Sequence, residues 1–261
     1  MRSRLALTAI AAVVISAWMA MADMAPSGGY LHGDLGLETL ELLPSAPAAG
    51  SPRDAADRAI FRETRKLEGT PRWALATRDA DASIPNILRN YSCAVGVSLN
   101  EKAAPVLTRM LRRISRDITA AFEPAKAFYK RRRPFLVDEG DICVARSADL
   151  TGSFDYPSGH ATWGWTTGLV IAELAPDRAG KALRRARAIG ESRVVCGVHN
   201  ASAVEAGRAG ASALVAALHA DAAFRADLDA ARAEMAALRA SAAPRPQGCE
   251  VEADLTANTP W

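Results

Sequence analysis

Three short clusters concentrate the groups that a phosphate ester needs. The first packs Lys126, Lys130, Arg131, Arg132 and Arg133 into eight residues and ends at Pro134. A solvated basic helix face would look the same in isolation. The second, Tyr156-Pro157-Ser158-Gly159-His160, runs straight into a helical pattern marked by Trp163, Trp165 and Leu169. A Pro-Ser-Gly turn feeding a helix exposes backbone N–H groups at the positive end of the helix dipole, which suits an anion. It also puts His160 in the first turn, beside whatever is bound. The third cluster is Ser192-Arg193 with His199 six residues beyond the arginine. A guanidinium fork can grip two phosphate oxygens, and an imidazole can attack phosphorus or relay a proton.

The elements that must position these groups read as helices. Leu107, Met110, Leu111, Ile114 and Ile118 fall on one face of a long helix. Ser98 and Glu101 have capping-box spacing upstream of it, and Pro105 would kink a helix begun there. A run from Leu169 to Leu174 stops at Pro176, and Pro176-Asp177 opens another helix through Leu183 and Ala186. A last, alanine-rich helix spans about Asp221 to Arg239. Alternating strand patterns and Asn-Gly hairpin signals are missing. The pattern predicts an all-α chain with a single compact helical domain over residues 52–240. An irregular segment, 23–51, precedes it and a tail, 241–261, follows.

The chain has 261 residues, 49% apolar and 23% charged, the mix of a globular protein. Positive charge is carried almost wholly by arginine, with lysine only at 66, 102, 126, 130 and 181. Residues 1–22 read as a signal peptide: Arg2 and Arg4, an apolar run from Leu5 to Met19, then Ala20-Met21-Ala22. Cleavage after Ala22 would leave 239 residues, and loss of the two arginines would lower the net charge from +3 to +1. So even a balance argues against a binder of nucleic acid. No second apolar stretch has membrane length without a charge, so no membrane contact is expected after cleavage. Cys93, Cys143, Cys196 and Cys249 are far apart, with no CxxC pair. That suits two disulfides in an oxidising compartment, with three connectivities open.

In this order the three clusters form one pattern: Lys126-x6-Arg133-Pro134, Pro157-Ser158-Gly159-His160 and Ser192-Arg193-x5-His199. Twenty-two residues separate Pro134 from Pro157, and 31 separate His160 from Ser192. The pattern resembles the signature of the type 2 phosphatidic acid phosphatase superfamily, which joins bacterial acid phosphatases, lipid phosphatases and vanadium haloperoxidases. Leu42-Leu43-Pro44, Gly50-Ser51, Gly69-Thr70-Pro71-Arg72-Trp73 and Ala125-Lys126 are similar to the class A non-specific acid phosphatases. The likeness covers the mature chain to about Arg239.

The resemblance implies the helical core of that superfamily and a periplasmic or secreted enzyme that hydrolyses small phosphomonoesters. It implies a phosphohistidine intermediate, with phosphotransferase activity as a second outcome. Lys126, Arg133, Ser158, Gly159 and Arg193 would bind the phosphoryl group, His199 would be the nucleophile and His160 the general acid and base. It implies no metal and no cofactor, with phosphate or vanadate able to occupy the site, an acid optimum, and homo-oligomer formation. A vanadate-dependent haloperoxidase would use the same cradle, although such chains are typically longer. A membrane lipid phosphatase would need spanning helices that the sequence lacks.

One position departs from the pattern. After the nucleophile the family has His-x3-Asp, and this chain reads His199-Asn200-Ala201-Ser202-Ala203. With the segment read as helical, residue i+4 shares a face with His199, so Ala203 stands where a carboxylate would orient the ring. The expectation is a phosphatase impaired by Ala203, or at the extreme a disabled phosphate-binding homologue. Glu205 lies on another face and is a poor stand-in. His32 and His219 receive no role, and Trp73, Trp163 and Trp165 are assigned to the core or a pocket wall.

Overall fold

A computed structural model of the chain describes residues 28–32 and 37–261, so the leader reading of residues 1–22 lies outside the described residues. Among them there are helices and no strands. The α-helices are α1 (Thr39–Leu42), α2 (Pro52–Arg65), α3 (Pro71–Asp79), α4 (Ile84–Val95), α5 (Pro105–Tyr129), α6 (Ala148–Gly152), α7 (Gly159–Leu174), α8 (Ala179–Val195), α9 (Ala201–Leu218), α10 (Ala222–Ala240) and α11 (Cys249–Leu255). Short 3₁₀ turns cover Pro134–Leu136 and Pro176–Arg178.

Local chemistry sets the helix starts. Ser51, Thr70, Ser83, Ser158 and Asp221 each accept a first-turn N–H through the side chain, a cap worth about 1 kcal/mol. Pro105 does not kink α5. It occupies the first helical position, where its missing N–H would have had no intrahelical partner anyway. Ser98 therefore caps nothing, and its N–H bonds Pro244 O at 2.9 Å.

Helix α7 is the centre of the molecule. It is buried around most of its circumference, from Ala161 and Trp163 to Val170, Ile171 and Leu174, as a helix without a polar face must be. It packs against α8 and α9, with α5 and α10 closing the other sides. Contact with α8 is intimate because Gly168 has no side chain. A β-carbon there would lie 2.4 Å from Ala186 Cβ. The main core joins Leu107, Met110, Leu111 and Ile114 of α5 to Val170 and Ile171 of α7 and Leu214 of α9. The apolar face read from the α5 sequence is thus the face that meets the core.

Both flanking segments carry structure that the sequence reading lacked: α1 lies within residues 23–51 and α11 within 241–261. Two disulfides form, Cys93–Cys249 and Cys143–Cys196. The first ties α11 to α4 across 156 residues. Side chains tie α11 to α8 as well, with Arg185 Nε 3.3 Å from Glu252 Oε2 and Arg187 Nη2 donating to Thr256 O at 2.8 Å. Among the described residues no helix is long and apolar enough to cross a membrane.

Replacing Cys93 and Cys249 together by serine should lower unfolding stability by about 2–4 kcal/mol, because the lost cross-link closes a long loop. Urea midpoints of the oxidised protein and the double variant measure it. Faster proteolysis between Ser241 and Gly248 should accompany the loss, and unchanged midpoints would show that side-chain contacts alone hold α11.

Candidate active site

The basic run divides by backbone conformation. Helix α5 ends at Tyr129, and Lys130 takes a left-handed conformation with φ 47°, so the residues after it leave the helix axis. Lys126 and Arg133 turn inward, while Lys130 and Arg132 stay exposed. Lys126 Nζ donates to Phe154 O at 3.2 Å. Arg133 is buried and held at three points: Nη2 to Ser153 Oγ at 2.8 Å, Nε to Ser153 O at 3.2 Å and Nη1 to Val198 O at 2.7 Å. Its Nη1 also lies 3.0 Å from His199 Nε2. Arg131 instead pairs with Asp54 and Asp57 of α2, at 3.1 and 2.9 Å.

Ser158 caps α7, its Oγ accepting from Ala161 N, while its own N–H donates to Ala203 O at 2.9 Å. The N–H groups of Gly159 and His160 occupy the first turn, where no helix carbonyl can reach them. Helix α9 crosses this turn at close range because residue 207 is glycine. A β-carbon there would meet Ser158 O at 2.7 Å.

Arg193 is buried on the last turn of α8, and its Nε and Nη1 find no hydrogen-bond partner among the described residues. Two buried guanidinium donors without acceptors call for an anion. Ser192, its neighbour, faces the other way. Its Oγ donates to Asp79 Oδ2 at 2.6 Å and accepts from Arg72 Nη1 at 3.0 Å. The motif serine thus fixes α8 against α3, and the arginine beside it reaches the site.

The two histidines have defined tautomers. A guanidinium can only donate, so His199 Nε2, facing Arg133, carries the lone pair and Nδ1 carries the proton. That proton points to Asp155, whose backbone oxygen is 2.7 Å and whose Oδ1 is 3.1 Å from Nδ1. His160 Nε2 lies 3.0 Å from Ala80 O. A carbonyl only accepts, so Nε2 bears hydrogen and Nδ1 is the basic nitrogen.

Charge repulsion marks the place where these groups converge. Burial and then neighbouring Arg133 lower the Lys126 ammonium pKa, and the same two causes bring Arg193 down to about 9. Burial, followed by nearby cations, holds His160 and His199 well below the usual imidazole range. Beside the cradle is a cavity of about 380 Å³ that shares Lys126, Gly159 and His160 and is walled by Ile84, Ile118, Phe122 and Trp163. Of the three tryptophans, Trp163 lines it. Trp73 packs near Phe61 and under Arg65, and Trp165 Nε1 bonds Ser212 Oγ. His32 is exposed and His219 pairs with Glu173, both outside the cradle. The described residues contain no group of three or more His, Cys, Asp or Glu side chains placed to hold a metal.

All seven phosphate-site and histidine positions read from the sequence therefore belong to one region. The profile of the PAP2 superfamily matches residues 114–226. An acid phosphatase of Zymomonas mobilis is 41% identical over 184 residues, covering 70% of this chain and 68% of that one. A non-specific acid phosphatase of Providencia stuartii is 36% identical over 181 residues, or 69% and 73% of the two chains. One from Salmonella typhimurium is 36% identical over 168 residues, or 64% and 67%. The chain belongs to the bacterial acid phosphatases of the PAP2 superfamily, which are phosphoric monoester hydrolases.

Within this family member the sequence reading misplaced one relationship. His199 is not on a helix: α9 begins at Ala201 with Asn200 as an extended N-cap, so position 203 does not share a helix face with the ring. Ala203 is buried in the core. The residue that was missed is Asp155, one of 29 acidic residues with no spacing to single it out.

Ligand-free cradle charge gives a prediction. Inorganic phosphate at 100 times its Kd should stabilise the protein by about 2.7 kcal/mol and raise Tm by about 5–10 °C. Without phosphate, acidification below about pH 6.5 should lower stability, because the unfolded chain protonates two histidines that the folded chain keeps neutral. The carboxyls of Asp155, Asp117 and Glu252, all raised by desolvation, oppose this increasingly as pH falls toward the carboxyl range, so the loss is read just below about pH 6.5. Calorimetry across pH with and without phosphate measures both effects. A phosphate-induced shift of zero would remove the anion site.

Proposed function

We propose that the chain hydrolyses phosphomonoesters by way of a phosphohistidine on His199. The observation that carries the reading is the contact between Arg133 Nη1 and His199 Nε2 at 3.0 Å. It keeps an imidazole lone pair facing a buried guanidinium that has a free-standing neighbour in Arg193. Phosphoryl oxygens bound by Arg133, Arg193, Lys126 and the first-turn N–H groups of α7 would take the Arg133 Nη1 hydrogen from His199 Nε2 and present phosphorus to the lone pair so freed. Such transfer depends chiefly on positioning and charge stabilisation, and fixed cations supply the charge here.

In the first half-reaction Nε2 of His199 bonds to phosphorus and the P–O bond to the alcohol breaks. Protonated His160 gives its Nδ1 proton to the departing oxygen. In the second, neutral His160 takes a proton from water, the oxygen bonds to phosphorus and the P–N bond breaks. An alcohol in place of that water would give phosphotransfer. His160 must enter protonated although burial and the cradle cations oppose it, so the reaction is favoured in acid. A bound phosphoryl anion offsets those cations. The apolar walls of Ile84, Ile118, Phe122 and Trp163 suit the organic part of the ester.

Export to a periplasmic or extracellular compartment fits the leader-like residues 1–22 and the two disulfides.

His199→Ala should abolish phosphoenzyme labelling and reduce kcat on p-nitrophenyl phosphate by at least ~10⁴. His160→Ala should slow turnover of alkyl phosphates by ~10²–10⁴ and spare labelling by p-nitrophenyl phosphate, whose leaving group needs little protonation. Activity should persist in EDTA and be inhibited by vanadate. Near-parental activity in His199→Ala, or chelator loss reversed by a divalent ion, would sink the proposal.

A further inference from the structure

The family carries an aspartate four residues after the nucleophile, and this chain carries Ala203 there. The structure nevertheless puts a carboxylate on the nucleophile's far nitrogen. We propose that Asp155, in the loop before the Pro-Ser-Gly turn, is the positioning carboxylate of His199, so that Ala203 leaves the enzyme unimpaired. The inference deepens the phosphohistidine reading and rests on it.

Four observations support the assignment. First, Oδ1 of Asp155 is 3.1 Å from His199 Nδ1, the nitrogen that bears the proton. Second, the carboxylate is completely buried, where a charge acts on its neighbour with little screening. Third, groups from two further residues surround the carboxylate. Oδ1 also takes the Asn200 N–H at 3.0 Å, and Oδ2 takes Asn200 Nδ2 at 2.8 Å and faces Arg131 Nη1 at 3.3 Å. Fourth, those donors are held in turn. Arg131 is braced by Asp54 and Asp57 of α2 and donates to Ser202 Oγ at 2.8 Å. A carboxylate gripped this way cannot drift from the ring.

Its role differs from that of a carboxylate in a serine-hydrolase triad. There the aspartate sets the tautomer, and replacing it with asparagine costs ~10⁴ in kcat. Here the backbone oxygen of Asp155 already accepts from Nδ1 at 2.7 Å, so the tautomer survives loss of the side-chain charge. What the carboxylate adds is a counter-charge for the imidazolium character that appears when Nε2 bonds to phosphorus. Removing it should therefore cost less than the triad figure.

Asp155→Asn should lower kcat on p-nitrophenyl phosphate by ~10–100-fold, within the triad limit, while inhibition by phosphate changes by less than ~3-fold. The Nδ1–H resonance of His199, assigned by its loss in His199→Ala, should move upfield in Asp155→Asn. A purely structural role would leave that resonance in place or move KM and kcat together. Ala203→Asp should give no rise in kcat, since the charge is already supplied. It decides alone if Asp155→Asn does not fold. A ~10²-fold gain from Ala203→Asp, or an unmoved resonance and unchanged kcat in folded Asp155→Asn, would overturn the assignment. Failure of the phosphatase reading looks different: the parental chain would not turn over p-nitrophenyl phosphate, while the resonance shift would still report on Asp155.

Discussion

Like charges buried together are the constraint on which this structure depends. Lys126, Arg133 and Arg193 converge beside two imidazoles; burial lowers the proton affinity of all five, and neighbouring cations lower it further for Lys126, Arg193 and both histidines. Left to relax, long cationic side chains would turn toward water. Two of the three are kept in place by neutral acceptors that hold without discharging. Arg133 is pinned by Ser153 and the Val198 carbonyl, and Lys126 by the Phe154 carbonyl. Carbonyl dipoles fix the geometry and leave the full charges available to an anion. A carboxylate in the same role would fix them too, and would occupy the site's own ligand position.

The carboxylates stand one layer out. Asp79 takes Arg185 Nη1 at 3.0 Å and Ser192 Oγ at 2.6 Å, and so anchors the turn of α8 that ends in Arg193. Asp57 accepts from Ser202 N at 2.9 Å and pairs with Arg131, joining α2 to the start of α9. Asp155 completes the series from the loop between α6 and α7. Each is buried and paired, as buried charges must be. The Cys143–Cys196 disulfide adds a covalent brace at the end of α8, three residues before His199. Together these ties determine where the short segment from Cys196 to Asn200 can run, and that segment carries His199, the proposed nucleophile.

The parts legible in the sequence were those with short-range grammar. Apolar spacing gave the face of α5 that meets the core, and the Pro-Ser-Gly turn announced the start of α7. Three clusters with fixed spacing named Lys126, Arg133, Ser158, Gly159, His160, Arg193 and His199, and the fold brings all seven to one region. What escaped was set by packing across long separations. Asp155 meets His199 44 residues away, and Asp57 meets Ser202 145 residues away. No periodicity records such meetings. Reading residues 199–203 as helical failed for a related reason, because a cap such as Asn200 resembles the interior of the helix it opens. Pro105, which would kink a helix begun at Ser98, instead opens α5 at its first position.

A carboxylate four residues further along the chain and one that reaches in from a loop can serve the same ring because two duties are separable. One is to hold a proton on Nδ1, which needs only an acceptor. The other is to oppose the positive charge that the ring gains on attack, which needs a full negative charge. At His199 both acceptors come from one residue, Asp155, through its backbone oxygen and its side chain. The Arg133 guanidinium on the opposite nitrogen enforces the same tautomer from the other side, since it cannot accept a proton. With the tautomer held twice, the position of the charge is the only remaining requirement, and a loop clamped by Asn200 and Arg131 meets it. On the proposed role of Asp155, position 203 is free to be alanine, packed into the core with its carbonyl receiving the Ser158 N–H.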